Sequence, residues 1–238
     1  MPESEENKEP KIESVEFIQA VRFTVSAEGK SETSAVPEGI VRARPLRSNI
    51  WTVGVRQVVY MALGAALYGG LSYLTNFLQL PSVGNVSVRP AIVIPIFFGV
   101  VFGPIVGLVS GGLGNFIGDL ISGYGVYWNW DIGNGLIGFI SGLAGLGLFN
   151  IFGRYSNPRT ITIAEILGAV GVVVGIAFAA YTDIWVSKLT FGGATSEFIP
   201  AAVSDLIFGI ILLPILLVAY NAAVGRRGTT GGSGERAA

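Results

Sequence analysis

Between Trp51 and Gly225 the sequence carries only six acidic residues: Asp119, Asp131, Glu165, Asp183, Glu197 and Asp205. Five basic residues accompany them: Arg56, Arg89, Arg154, Arg159 and Lys188. All stand among long apolar runs, where an ionisable group is costly and is a functional candidate for that reason. Asn115 and Asp119 are four residues apart, which sets an amide and a carboxylate on one face of a helix. Just beyond them come Tyr127, Trp128, Asn129, Trp130 and Asp131, then Asn134. Asn76, Asn85 and Arg89 flank the first such region, and Asp183 and Asp205 sit in the last two. Amides orient a ligand, carboxylates accept its donors, and flat rings stack on it. These residue types suit the binding of a small, polar, ring-shaped solute.

Bond-making chemistry finds less support. The chain has no histidine and no cysteine, which excludes Ser-His-Asp and Cys-His catalysis, thiol chemistry, disulfides and histidine-built zinc sites. No catalytic residue, metal site or bound cofactor is expected. No GxxxxGK[ST] phosphate loop is present, so ATP would have to be hydrolysed on another subunit. The net charge of −1 gives no electrostatic case for nucleic acid.

The elements that must position these groups are membrane helices. Of 238 residues, 51% are hydrophobic and 13% charged, against about 25% charged in soluble proteins. A bilayer core takes roughly 20 helical residues. Spans are expected over 56–78, 89–103, 104–122, 132–152, 162–186 and 199–223. The second is short and holds Pro90 and Pro95, so a kink or an incomplete crossing is expected there. Pro104 and Pro200 are expected near helix starts. Small-residue spacings such as Gly107-x-x-x-Gly111 and Gly138-x-x-x-Gly142 suit close helix packing.

The fold expected is an all-α integral membrane protein, six transmembrane helices in a compact bundle. Residues 1–50 form a polar, largely disordered head and linker, in which 14–29 reads as either a strand or an amphipathic helix. The head opens acidic, unlike a signal peptide. Residues 51–225 are the membrane domain and 226–238 a flexible tail. Arg42, Arg44, Arg47, Arg56, Arg154, Arg159, Arg226 and Arg227 fall on one face of a six-span topology; Arg89 and Lys188 fall on the other. The positive-inside rule then puts the N- and C-termini in the cytoplasm of a multi-pass cell-membrane protein.

With that topology the polar groups collect at the outer side, as a cup, and Glu165 is the exception near the inner end. Alternatives stay open at several positions. Trp128, Trp130 and Trp185 are either cup walls or an interfacial belt. Asp131 and Glu197 are either ligand groups or loop charges, and Arg89 could instead bridge to Asp119 or Asp131. At the level of function, a binding subunit that needs a partner competes with an independent proton- or sodium-coupled carrier and with a non-binding structural or assembly protein.

Over about 54–225 the chain resembles the substrate-binding (S) components of energy-coupling factor (ECF) transporters. The resemblance rests on the six spans, on Ala62-x-x-x-Ala66 in span one, and on the run from Arg89 to Asp119 with "FGP" at its turn and Asp119 at the far end of span three. It implies high-affinity binding of a small vitamin or related heterocyclic precursor. It also implies association with a transmembrane coupling subunit and two cytoplasmic ATPases. Ala62, Ala65 and Ala66 match the small residues of the coupling contact, and the loop Leu80–Val88 matches a lid over the ligand. The family is thought to topple in the membrane to deliver its cargo. The long head departs from the family pattern.

Overall fold

The computed structural model describes residues 51–78, 87–146, 155 and 157–229, without the side chains of 225–229. The head, the tail beyond Thr229 and most of the expected lid, Asn85 included, lie outside the described residues. Among the described residues six α-helices follow one another: α1 (Val55–Thr75), α2 (Val93–Phe102), α3 (Pro104–Ser122), α4 (Trp128–Gly142), α5 (Pro158–Val186) and α6 (Phe191–Thr229). Short 3-10 turns precede α2 and follow α4.

Four of the helices, α1, α3, α5 and α6, are long and apolar enough to cross a membrane. α2 is not. Its 10 residues rise about 15 Å, half of a bilayer core, so the short second span is as expected. α4, with 15 residues, is also short. It begins at Trp128 rather than at 132, so Trp130 and Asp131 are helical and not loop residues. An acid in the first turn favours that start, because the helix N-terminus is electropositive. α5 also starts early. Asn157 Oδ1 accepts the Arg159 N–H at 3.0 Å, and Pro158 occupies the first helical position.

α6 differs most from expectation. It runs from Phe191, so Pro200 lies inside the helix and not near its start, as does Pro214. It also continues past Gly225 into the expected tail. A proline costs a helix one backbone hydrogen bond, a loss that packed neighbours can offset in a membrane bundle.

The interhelical contacts fix the directions. Gly64 meets Ser110, and Gly69 meets Gly114, so α1 and α3 run parallel. Gly107 meets Gly138 and Gly111 meets Asn134, so α4 is antiparallel to α3. Gly133 against Gly175 with Ile137 against Gly171 sets α5 antiparallel to α4, and Gly168 against Leu213 with Tyr181 against Thr195 sets α6 antiparallel to α5. α2 descends from Arg89, near Asn115, to Phe102, which stacks on Tyr60 at 4.0 Å. The six helices therefore alternate, and α1 starts on the side where α6 ends.

α3 presents two glycine faces. Gly107 and Gly111 lie on α4, while Gly114 and Gly118 lie on α1. A Cβ on Gly107 or Gly138 would collide with the other's backbone carbonyl, so only glycine permits this crossing. Ile92, Ile96, Val100, Ile137, Val172, Ile176, Leu213 and Leu217 fill the centre. Large apolar side chains such as Leu63, Val173, Ile210 and Ile215 face outward. An apolar exterior on long helices matches a lipid environment, where packing and not water exclusion joins the helices.

Candidate functional site

Pro90 sets the position of the central cation. A residue before proline is held out of the helical region, and Arg89 has φ −121° and ψ 78°. Its side chain therefore enters the bundle before α2 begins. Nearby, the Val88 N–H donates to the Leu78 carbonyl at 2.6 Å and brings together the ends of the intervening loop.

Arg89 is buried, with 8% of its surface exposed. One guanidinium nitrogen pairs with Asp205 Oδ2 at 3.5 Å, and another donates to Asn115 Oδ1 at 3.2 Å. Its Cζ lies 5.7 Å from the Trp130 ring centroid, within cation–π range. The partner of Arg89 is therefore Asp205 of α6, not Asp119 or Asp131. The reason is depth: Asp205 is fully buried and needs a compensating charge, whereas the other two are half-buried.

Asn115 distributes the remaining bonds. Its Nδ2 donates at 2.9 Å to Asp119 Oδ2 on its own helix and at 2.9 Å to Asp131 Oδ1 on α4. The same-face placement of Asn115 and Asp119 is thus realised as a hydrogen bond. Asn134 forms the floor: it accepts from Tyr68 Oη at 2.6 Å and donates to the Trp130 carbonyl at 2.8 Å. Tyr68 is fully buried on α1 and was not among the residues expected from sequence. A hydroxyl in an otherwise apolar stretch of span one is the signal that would have found it.

A second polar cluster adjoins through Trp130. Its Nε1 donates to Asp183 Oδ2 at 2.6 Å, and Ser187 Oγ donates to Asp183 Oδ1 at 2.6 Å. The carboxyl of Glu197, also buried, lies against that of Asp183. Among the described residues Asp183 is thus joined to the Arg89 network through the indole. Asn129 is turned to α5, where it donates to the Ala179 carbonyl at 3.0 Å. Asn76 caps α1 and bonds Ser122, tying the ends of α1 and α3. Tyr127 and Trp128 are exposed at the start of α4. Glu165 lines the same narrow crevice as Asp205, between α5 and α6.

On α1, Ala62 and Ala66 are exposed, whereas Ala65 is 1% exposed and packs towards Gly114 of α3. Ala65 therefore belongs to the bundle interior and not to the face that carries the other two. Among the described residues no group of three or more carboxylates is placed to hold a metal ion.

An alternating six-helix bundle whose polar groups join through Trp130 at the end opposite the start of α1 and the end of α6 defines an integral membrane protein built around a single-sided polar site. The family model for "ECF-type riboflavin transporter, S component" matches residues 52–222, and the chain belongs to that family of membrane-embedded vitamin-transport components. A UPF0397 protein of Vibrio atlanticus (strain LGP32) is 35% identical over 129 residues, covering 54% of this chain and 70% of that protein. No solved structure matches the chain.

Proposed function

We propose that the chain is the substrate-binding subunit of an ATP-driven ECF transporter. In this reading it holds a small vitamin or related heterocyclic precursor at the Arg89–Asn115 end, which faces outward, with both termini in the cytoplasm. A transmembrane coupling subunit and two cytoplasmic ATPases supply the energy, and the chain needs no cofactor of its own. Ala62 and Ala66, exposed on one face of α1, are the residues offered to the coupling subunit.

One observation carries the proposal: five polar residues, Arg89 before α2, Asn115 and Asp119 on α3, Asp131 on α4 and Asp205 on α6, converge through direct bonds at one end of an otherwise apolar bundle. Desolvating that many charges costs more than bundle packing requires, and ligand binding is the return that would retain them.

The test is mass spectrometry of small molecules released from the full chain purified in detergent. A vitamin-sized heterocycle near one-to-one stoichiometry, lost in Arg89→Ala, is the expected result. A chain that carries no such molecule and shows no saturable binding of any vitamin supplied would overturn it.

A further inference from the structure

The ligand's charge can be read from the hydrogen-bond ledger of the same site, an argument that rests on the substrate-binding reading above. Arg89 is the one cation of the cluster among the described residues, and Asp205 already compensates it. Asn115 uses both amide hydrogens, one on Asp119 and one on Asp131, while its carbonyl oxygen accepts from Arg89. It holds two carboxylate oxygens at 2.9 Å from a single nitrogen, which brings like charges together.

Asp119 and Asp131 are half-buried, and each uses one carboxylate oxygen on Asn115, which leaves a second oxygen as a further acceptor. Deeper in the cluster, Asp205 is fully buried and its Oδ1 has no hydrogen-bond partner. Against these acceptors Arg89 keeps its Nε–H and one hydrogen on each terminal nitrogen, but it is a single cation facing the three carboxylates of Asp119, Asp131 and Asp205. Carboxylates accept and do not donate when ionised. A ligand that completes the site must supply several donors and offset surplus negative charge.

We infer that the site selects a planar heterocycle that is cationic or carries amidine-type N–H donors, and that it discriminates against neutral acceptor-rich rings and anions. Riboflavin, for which the matched family is named, is uncharged, and its ring edge is mostly acceptors. The inference therefore separates this chain's ligand from that one. Asp119 and Asp131 would set the specificity by contact, and Asn115 would position them.

Binding to the purified full chain is measured by tryptophan fluorescence or calorimetry with four probes. Thiamine is the cation, 4-amino-5-hydroxymethyl-2-methylpyrimidine the neutral donor-rich ring, riboflavin the acceptor-rich ring and nicotinate the anion. Thiamine or the aminopyrimidine should bind at least about tenfold more tightly than riboflavin, with nicotinate weakest. Asp119→Asn and Asp131→Asn keep the side-chain shape, and each should weaken the favoured probe about tenfold or more while the melting temperature holds. They should leave riboflavin binding unchanged or improved. Tight riboflavin or nicotinate binding with both donor-rich probes excluded overturns the charge inference and leaves the S-component reading standing. So does an unchanged affinity in both variants. Failure of all four probes to bind overturns the inference and counts against the S-component reading as well.

Discussion

Asn115 is the residue on which the site depends, because it joins Arg89 to two carboxylates from different helices. Asn115→Leu keeps the branching of the side chain and removes all three bonds. Hydrogen bonds to charged groups contribute about 1.5–3 kcal/mol each, so ligand affinity should fall at least about tenfold, measured by titration of the purified chain. Tyr68→Phe is expected to act on stability instead. It leaves the buried Asn134 Oδ1 without its donor, at a cost of about 1–3 kcal/mol, visible as a lower melting temperature in detergent. The Asn115–Asp119 pair was legible from sequence because a four-residue spacing on a helix needs no tertiary information. The pairing of Arg89 with Asp205 was not, since the two are 116 positions apart and only the fold brings them together. Asn129 shows the opposite failure: it stands next to Trp130 and Asp131, which belong to the site, yet its amide is used to bind α4 to α5.

At the scale of elements, the glycines decide how closely helices approach. Gly138→Leu should separate α3 from α4, because its side chain would enter the backbone of Gly107. Overpacking of this kind costs typically about 1–3 kcal/mol, and here the obstacle is backbone that cannot rotate away, so loss of the monodisperse folded species in size-exclusion chromatography is expected. The exposed face of α1 gives the contrasting case. Ala62→Trp adds bulk where nothing packs, and ligand binding should be retained while vitamin uptake by the assembled transporter is lost. Ala65→Trp should instead fail at folding, because Ala65 is enclosed against α3. Normal uptake with Ala62→Trp would remove the coupling assignment. The three alanines could not be sorted from sequence, because a match by position does not set which face of the helix meets α3. Helix α3 was legible to the residue, bounded by Pro104 and the left-handed Gly123, whereas α6 was not. A proline reads as a helix start in isolation, and only the surrounding bundle keeps Pro200 inside one.

For the molecule as a whole, the alternation of six helices places the start of α1 and the end of α6 on one side, and the charge distribution then selects which compartment that side faces. Arg56 and Arg159 lie at that end, with Arg154 between α4 and α5 and Arg226 and Arg227 at the end of α6; Arg89 and Lys188 are at the opposite end. Translocating several arginines is disfavoured, so the chain-end side should be cytoplasmic and the Arg89 site should open outward. A binding subunit for uptake requires that orientation, since a site facing inward would meet the solute only after it had crossed. Because the chain has no cysteine, single substitutions report position without background. Val53→Cys stands before α1, and Lys188→Cys stands in the connection between α5 and α6; both positions are exposed. A membrane-impermeant maleimide applied to intact cells should label Lys188→Cys and leave Val53→Cys unlabelled until the membrane is permeabilised. The reverse pattern would turn the site towards the cytoplasm and remove the uptake function. Labelling of both in intact cells would break the even crossing number, and with it the argument that the short α2 and α4 complete the passage through the membrane.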